Sequence, residues 1–190
     1  FLPGAANARS ALIPDPKTGL TDSVAYCAQA AWLLNDSIKN NILFAAPYNA
    51  KRYKAVVAAC GLSRDFEILE YGDATEVGEK GITLSGGQKQ RVSLARALYS
   101  SSKTVLLDDC LSAVDSHTAL WVYENCITGK LMENRTCLLV THNVALSVKR
   151  AQWVVVLDSG KIQLQGTPKK LLEDGYFGDD KLIEAAILTE

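Results

Sequence analysis

The chain has 190 residues, 48% of them hydrophobic and 22% charged, the balance of one globular domain, which excludes a disordered or fibrous class. A formal net charge of −1 gives the chain as a whole no attraction for nucleic acid. Its apolar runs stop far short of the ~20 residues that cross a bilayer, and Phe1-Leu2-Pro3-Gly4 has no basic region ahead of a long apolar core, so neither a membrane span nor a signal peptide is expected.

Phe1 is not a start methionine, so the chain is read as beginning inside a larger protein. Residues 5–20 read as a loop, because Pro14, Pro16 and Gly19 forbid regular structure. Ser23 to Cys27 reads as a short strand running into Gln29. Ser37 to Phe44 gives a short helical turn that Asp36 or Ser37 could cap. Asn49 to Cys60 places Tyr53, Val56, Val57 and Cys60 on one stripe of a surface helix, which Gly61 ends. Ser63 to Leu69 is another short helix, followed by a polar, glycine-broken segment from Tyr71 to Gly81. A helix from Ser85 to about Tyr99 carries Val92, Ala95 and Tyr99 on one side, with Leu94 and Leu98 beside them. Thr104 to Leu107 is a strand and Ala119 to Ile127 a helix. Arg135 to Thr141 is a nearly continuous apolar strand of the kind covered on both faces. Val144 to Lys149 is a short helix. Trp153–Leu157 and Lys161–Gln165 flank Asp158-Ser159-Gly160 as a hairpin, and Thr167-Pro168 opens a further helix. The tail beyond Gly175 is polar and then helical.

Five cysteines, Cys27, Cys60, Cys110, Cys126 and Cys137, lack the paired spacing of a metal site. Most lie in apolar runs, where a reduced thiol acts as a small hydrophobe, which fits a reducing compartment.

Two stretches carry the chemistry. In Leu84-Ser85-Gly86-Gly87-Gln88 the serine and glutamine have capping-box spacing, and two glycines keep side chains away from the first-turn N–H groups. Such a bared helix start is a seat for phosphate, since orphan donors and the helix dipole both favour an anion. Val105-Leu106-Leu107-Asp108-Asp109 is an apolar strand ending in two carboxylates. Asp108 is placed to meet a Mg²⁺ ion on phosphates, and Asp109 to orient an attacking water; either could instead cap the next turn. Together the two stretches point to nucleoside triphosphate chemistry. His142, past a buried strand, can reach the same crevice and contact a γ-phosphate or its neighbouring water. Gln29 is a neutral donor and acceptor suited to metal-bound water. Asp115 could bridge to another subunit or cap its own helix, and His117 reads as an exposed helix-start residue. Gly-x-x-x-x-Gly-Lys-Ser/Thr, the loop that cradles phosphates, is absent from the chain.

These motifs closely resemble the nucleotide-binding domain of an ATP-binding-cassette transporter. Leu84–Gln88 is similar to the family signature, Val105–Asp108 to the Walker B strand, Gln29 to the Q-loop glutamine, Ser112-Ala113-Val114-Asp115 to the D-loop and His142 to the switch histidine. All five occur in family order. Trp32, Asn40–Phe44 and Gly72–Glu79 are similar to the multidrug-resistance-associated, or C, subfamily. The resemblance implies an α/β fold with a P-loop NTPase-type core, a mostly parallel sheet and a helical signature subdomain, without the N-terminal strands and Walker A segment, which would lie upstream of Phe1. Residues 1–190 would then be a partial domain. Within it, 5–20 form a proline-containing loop or insertion and Phe1–Gly4 part of a strand segment. Residues 36–100 form the helical subdomain with the signature helix, and 103–175 the Walker B, D-loop, switch histidine and C-terminal part of the core.

What the resemblance implies for function is an ATP- and Mg²⁺-dependent motor on the cytosolic face of a membrane, vacuolar or plasma membrane being the candidates. Its implied partners are a second nucleotide-binding domain in a head-to-tail arrangement and the transmembrane domains of the same transporter, with no nucleic acid. Asp109 and His142 would be catalytic; Gln29, Ser85, Gly86, Gly87, Gln88, Asp108 and Asp115 would bind nucleotide, and Gln29 and Asp108 the metal. Two residues depart from the family pattern: Asp109 stands where a glutamate is usual, and Cys110 where a proline is frequent. An aspartate is one methylene shorter, so its carboxylate falls roughly 1–1.5 Å back, where catalysis tolerates little misplacement. This is similar to the first domain of C-subfamily exporters, whose own site is degenerate while the intact signature closes over ATP held by the other domain. The alternatives are a soluble cassette ATPase of DNA repair or translation, and a non-catalytic regulatory cassette.

Overall fold

Residues 13–78, 83–177 and 181–188 are described by the computed structural model, and their contacts separate into two units, Phe1–Val140 and Thr141–Glu190. Phe1–Gly4, the first part of the expected loop and the segment 79–82 lie outside the described residues. Within the loop, the Asp15 carboxylate accepts from the backbone N–H groups of Lys17 at 2.8 Å and Thr18 at 2.9 Å, a turn that leads into β1 (Thr21–Cys27). β2 (Asp36–Ser37) pairs antiparallel with β3 (Glu76–Val77). Between them stand α1 (Ile38–Leu43), α2 (Ala50–Ala59) and α3 (Ser63–Ile68). Ser37 Oγ accepts from the Asn40 N–H at 3.1 Å and Asn49 Oδ1 from that of Arg52 at 2.9 Å, so both helices begin on side-chain caps. Gly61, at φ 65°, ends α2 in the left-handed conformation that an L side chain resists.

Next come α4 (Gly86–Tyr99), β4 (Ser102–Asp108), α5 (Ser116–Val122) with a π-helical continuation over Tyr123–Ile127, and β5 (Thr136–Val140). The helix expected from Ala119 starts earlier because Asp115 Oδ1 accepts from the Thr118 N–H at 3.0 Å and caps it. β1, β4 and β5 form a parallel sheet in the order β1-β4-β5. α4 packs on β1 and β4 as well as on α1 and α2. For that reason it is buried all round from Val92 to Tyr99 rather than on one stripe. The sheet is covered unequally. Cys27, Val105 and Leu107 are buried, whereas Val24, Tyr26, Leu138 and Val140 on the alternate positions are exposed. β5 therefore alternates between exposed and half-buried residues instead of being covered on both faces.

Two buried polar devices hold α4 in this position. Arg96 donates from Nε to the Asn41 carbonyl oxygen at 2.8 Å and from a terminal nitrogen to Asn41 Oδ1 at 2.9 Å, while its guanidinium lies 4.1 Å from the Trp32 ring centroid. At the helix C-terminus, Arg52 and Arg135 donate to the Leu98 and Ser100 carbonyl oxygens, where cations suit the dipole.

In the second unit, α6 (Val144–Ser147) precedes the antiparallel hairpin of β6 (Val154–Asp158) and β7 (Lys161–Gly166). Its turn residues Ser159 and Gly160 both have positive φ, 48° and 73°, the backbone that matches strand twist in a two-residue loop. α7 (Pro168–Glu173) starts on a Thr167 cap, and α8 (Lys181–Leu188) follows. Among the described residues no helix is long and apolar enough to cross a membrane.

Candidate functional site

The carboxyl ends of β1 and β4 lie side by side, with Tyr26 opposite Leu106 and Cys27 opposite Leu107. That register brings Gln29, Asp108 and Asp109 together. The Tyr26 hydroxyl donates to Asp108 Oδ2 at 2.9 Å, and Gln29 Nε2 donates to Asp109 Oδ2 at 3.2 Å. The bond to Asp108 raises the Tyr26 phenol above its ordinary range. After Asp108 the chain leaves the strand sharply. Asp109 sits at φ 46°, its N–H still donating to the Val140 carbonyl oxygen at 2.9 Å. Its own carbonyl accepts from the Ser112 N–H at 3.2 Å and the Ser112 hydroxyl at 2.8 Å, which closes a tight turn.

The support beneath is neutral and buried. Gln90 Nε2 donates to the Ala28 carbonyl oxygen at 3.1 Å, tying α4 to the residue before Gln29. The hydrogen bond with the Cys27 thiol and burial push the Cys110 thiol up, and burial pushes Cys60 up as well. These thiols stay protonated and pack as hydrophobes. The carboxylate of Asp108 and the carboxamide oxygen of Gln29 are the oxygen donors that suit a hard cation. No cluster of three or more His, Cys, Asp or Glu that could cage a metal occurs among the described residues.

The second part of the site is the start of α4. Ser85 Oγ accepts from the Gln88 N–H at 3.2 Å and Gln88 Oε1 accepts from the Ser85 N–H at 2.9 Å, the expected capping box. Gln88 Nε2 also donates to Asp65 Oδ1 at 2.9 Å, so both ends of its carboxamide are engaged within the chain. Arg91 completes the anchor: one terminal nitrogen lies 2.5 Å from Asp65 Oδ2 and 2.6 Å from the Gly61 carbonyl oxygen. Neither Asp65 nor Arg91 is signalled by the sequence pattern, because the ion pair spans 26 residues between two helices.

The two glycines differ. A Cβ at Gly87 would come within 3.1 Å of the Ala113 carbonyl oxygen, so this glycine permits the segment Ser112–Asp115 to approach the helix start. A Cβ at Gly86 would meet nothing within 4 Å. The backbone at 86 is bare toward space that none of the described residues fills within that distance. Asp115, at the far end of the approaching segment, caps α5 through Thr118, and hydrogen bonds from the Thr118 hydroxyl and N–H hold its carboxyl below the usual range. His142 is exposed and belongs to the second unit, where its carbonyl oxygen accepts from the Val144 N–H at 3.2 Å.

Comparison with known proteins gives a consistent picture. A family model described as ABC transporter matches residues 7–112. An ATP-dependent bile acid permease of Saccharomyces cerevisiae is 66% identical over 181 residues, 95% of this chain and 11% of that protein. The ABC transporter ATP-binding protein/permease VMR1 of the same yeast is 67% identical over 166 residues, 87% of this chain and 10% of its own. ABC transporter 7 of Pyricularia oryzae is 58% identical over 180 residues, 95% of this chain and 11% of its own. The chain thus spans about one tenth of the length of these curated relatives.

Proposed function

Because the chain belongs to the ABC transporter family, we propose that it is part of a nucleotide-binding domain, of the C-subfamily type, that drives a membrane exporter by hydrolysing ATP. It works from the cytosolic face of the membrane, beside the transmembrane domains of the same transporter and head to tail with a second nucleotide-binding domain. Relatives named as permeases favour this reading over a soluble repair or translation ATPase.

Two half-sites follow. Asp108 and Gln29 would hold Mg²⁺ on the phosphates of this domain's own ATP, since Mg²⁺ keeps several waters and takes only one or two protein oxygens. The ion supplies charge neutralisation on the phosphates. Asp109 orients water, and its short reach makes this site the weaker one; His142 takes the switch role that its motif implies. The start of α4 serves the other domain's ATP. Ser85, Gly86 and Gly87 present N–H groups and the positive helix end, while Gln88 orients that end and Asp115 fixes the adjoining segment.

The observation that carries the reading is the open space at Gly86, against a helix start otherwise braced by Asp65, Arg91 and Gln88. A glycine at a helix start whose Cβ position meets none of the described residues leaves room for a ligand there. Gly86→Asp tests this in the full-length transporter, because a Cβ at this position meets no described atom within 4 Å and the new carboxylate repels phosphate. Turnover at the partner's site is expected to fall about 100-fold, the scale of losing an electrostatic contact to reacting phosphate. ATP photolabelling of this domain's own site should stay within about twofold, since the seat serves the other nucleotide. Equal loss of labelling at both sites, or unchanged turnover, refutes the assignment.

A further inference from the structure

We infer that Tyr26 is a positioning residue for Asp108, holding its carboxylate in the orientation that meets the phosphate-bound cation; the inference rests on the reading of Asp108 proposed above. Strand alternation and register put the two on one face. Tyr26 is opposite Leu106, so Asp108, two residues further along β4, is its diagonal neighbour on the same side of the sheet. The phenol spans that diagonal and its hydroxyl donates to Oδ2 at 2.9 Å.

Asp108 needs such a partner because of where it stands. It is the last residue of β4, and the backbone turns left-handed immediately after it. A carboxylate at a strand end can swing among staggered rotamers, and one donor fixed on the neighbouring strand selects one of them. A hydroxyl donor on Oδ2 also leaves the other carboxylate oxygen available as a ligand. Within this chain the Tyr26 side chain is 57% accessible, with its polar end on the acid. Just past the end of β1, Gln29 likewise donates to Asp109. Two residues three apart in the chain thereby engage the carboxylates at and just past the end of β4, in the way that outer partners orient metal-bound groups elsewhere.

The test is a binding measurement on full-length transporter whose partner site is disabled, with Mn²⁺ as the paramagnetic probe and a non-hydrolysable ATP analogue as the nucleotide. Tyr26→Phe keeps the ring and removes the hydroxyl. Mn²⁺ affinity in the presence of the analogue is expected to fall about tenfold, in line with loss of an outer partner of a metal ligand. Analogue binding in EDTA should be unchanged, and Asp108→Asn should weaken Mn²⁺ at least as much. If Asp108→Asn weakens Mn²⁺ while Tyr26→Phe leaves it within about twofold, the positioning role is wrong and the site reading stands. If Asp108→Asn itself leaves Mn²⁺ affinity intact, the site reading falls and takes the inference with it. If Tyr26→Phe weakens metal-free and Mn²⁺-loaded binding alike, the tyrosine acts through packing and the inference is overturned.

Discussion

Asp109→Glu tests the proposed weakness of this domain's own site. Reference pKa values of about 3.9 for Asp and 4.3 for Glu differ too little to matter, so geometry decides. The added methylene extends the carboxylate by about 1.5 Å, the length of a carbon–carbon bond, beyond the point where Gln29 now holds Asp109 Oδ2 at 3.2 Å. A correctly placed general base contributes about 10²–10⁴-fold, equivalent to roughly 3–5 kcal/mol of barrier. The backbone opposes the change, because Asp109 sits at φ 46° and residues other than Gly, Asn and Asp bear about 1–2 kcal/mol there. That strain is present in the ground state and transition state alike, so it reduces the stability of the turn without raising the barrier. The gain in rate should win. Single-turnover hydrolysis of nucleotide trapped at this site, in full-length transporter with the other site disabled, is expected to rise at least about tenfold with ATP affinity unchanged. Asp109→Asn should leave total ATPase nearly constant. A normal rate in the native protein at this site, or total turnover stopped by Asp109→Asn, refutes the reasoning.

Two further outcomes concern the scaffold. Asp65→Ala leaves Arg91 without its carboxylate and frees the Gln88 amide; both ionic side chains are only 15% exposed. The loss is about 3 kcal/mol, the low end for a broken buried pair. Hydrogen exchange in α3 and the first turn of α4 should accelerate roughly 100-fold, and a change below about fivefold counts against the pair as an anchor. Burial pushes the Cys137 thiol up to about 11 from an ordinary 9.0. The folded state thus favours the neutral thiol; this contribution is full below pH 9.0 and is lost as pH rises through about 11. At pH 8 the thiolate is about 100-fold scarcer than for an unshifted thiol, so iodoacetamide alkylation of Cys137 should be slower by that factor. Labelling at the rate of an unfolded-chain cysteine contradicts the burial argument.

The features legible in the sequence are those whose partners are near in the chain. The capping box at Ser85 and Gln88, the helix start at Thr167-Pro168, the Gly61 helix end and the Ser159-Gly160 turn each depend on residues within a few positions. The local pattern dictates them before any packing is known. Residues joined across strands or helices were not legible. Tyr26 reads as an ordinary strand aromatic until β1 and β4 are set in register, and a shift of one residue would carry it to the opposite face. Asp65 belongs to a short helix with no motif, and only the packing of α3 beside α4 makes it the anchor of Gln88 and Arg91. The apolar pattern of α4 suggests one buried stripe, yet the helix is enclosed by sheet on one side and helices on the other. For β5 the apolar run suggests cover on both faces, and within this chain side-chain alternation leaves Leu138 and Val140 exposed.

The contrast between Asp109 and Gly86 bears on how the proposed motor divides its work. The Asp109 carboxylate finds Gln29 within its own chain, and the turn behind it is closed by the hydroxyl and N–H of Ser112. To act on water it has to loosen a bond already made, and the side chain that must do so is a methylene short. The helix start at Gly86 needs no such rearrangement. Its capping box and the Asp65–Arg91 pair brace it before any ligand arrives, and among the described residues nothing lies within 4 Å of a Cβ placed at Gly86. Dipoles fixed in advance cost no reorganisation when charge develops beside them, which is where electrostatic catalysis gains most. On the proposed reading, the chain is therefore better prepared to complete its partner's site than to run its own. Lengthening Asp109 should raise the second capacity with little effect on the first, because Gln29 and Ser112 hold Asp109 and its turn whereas Asp65 braces the start of α4.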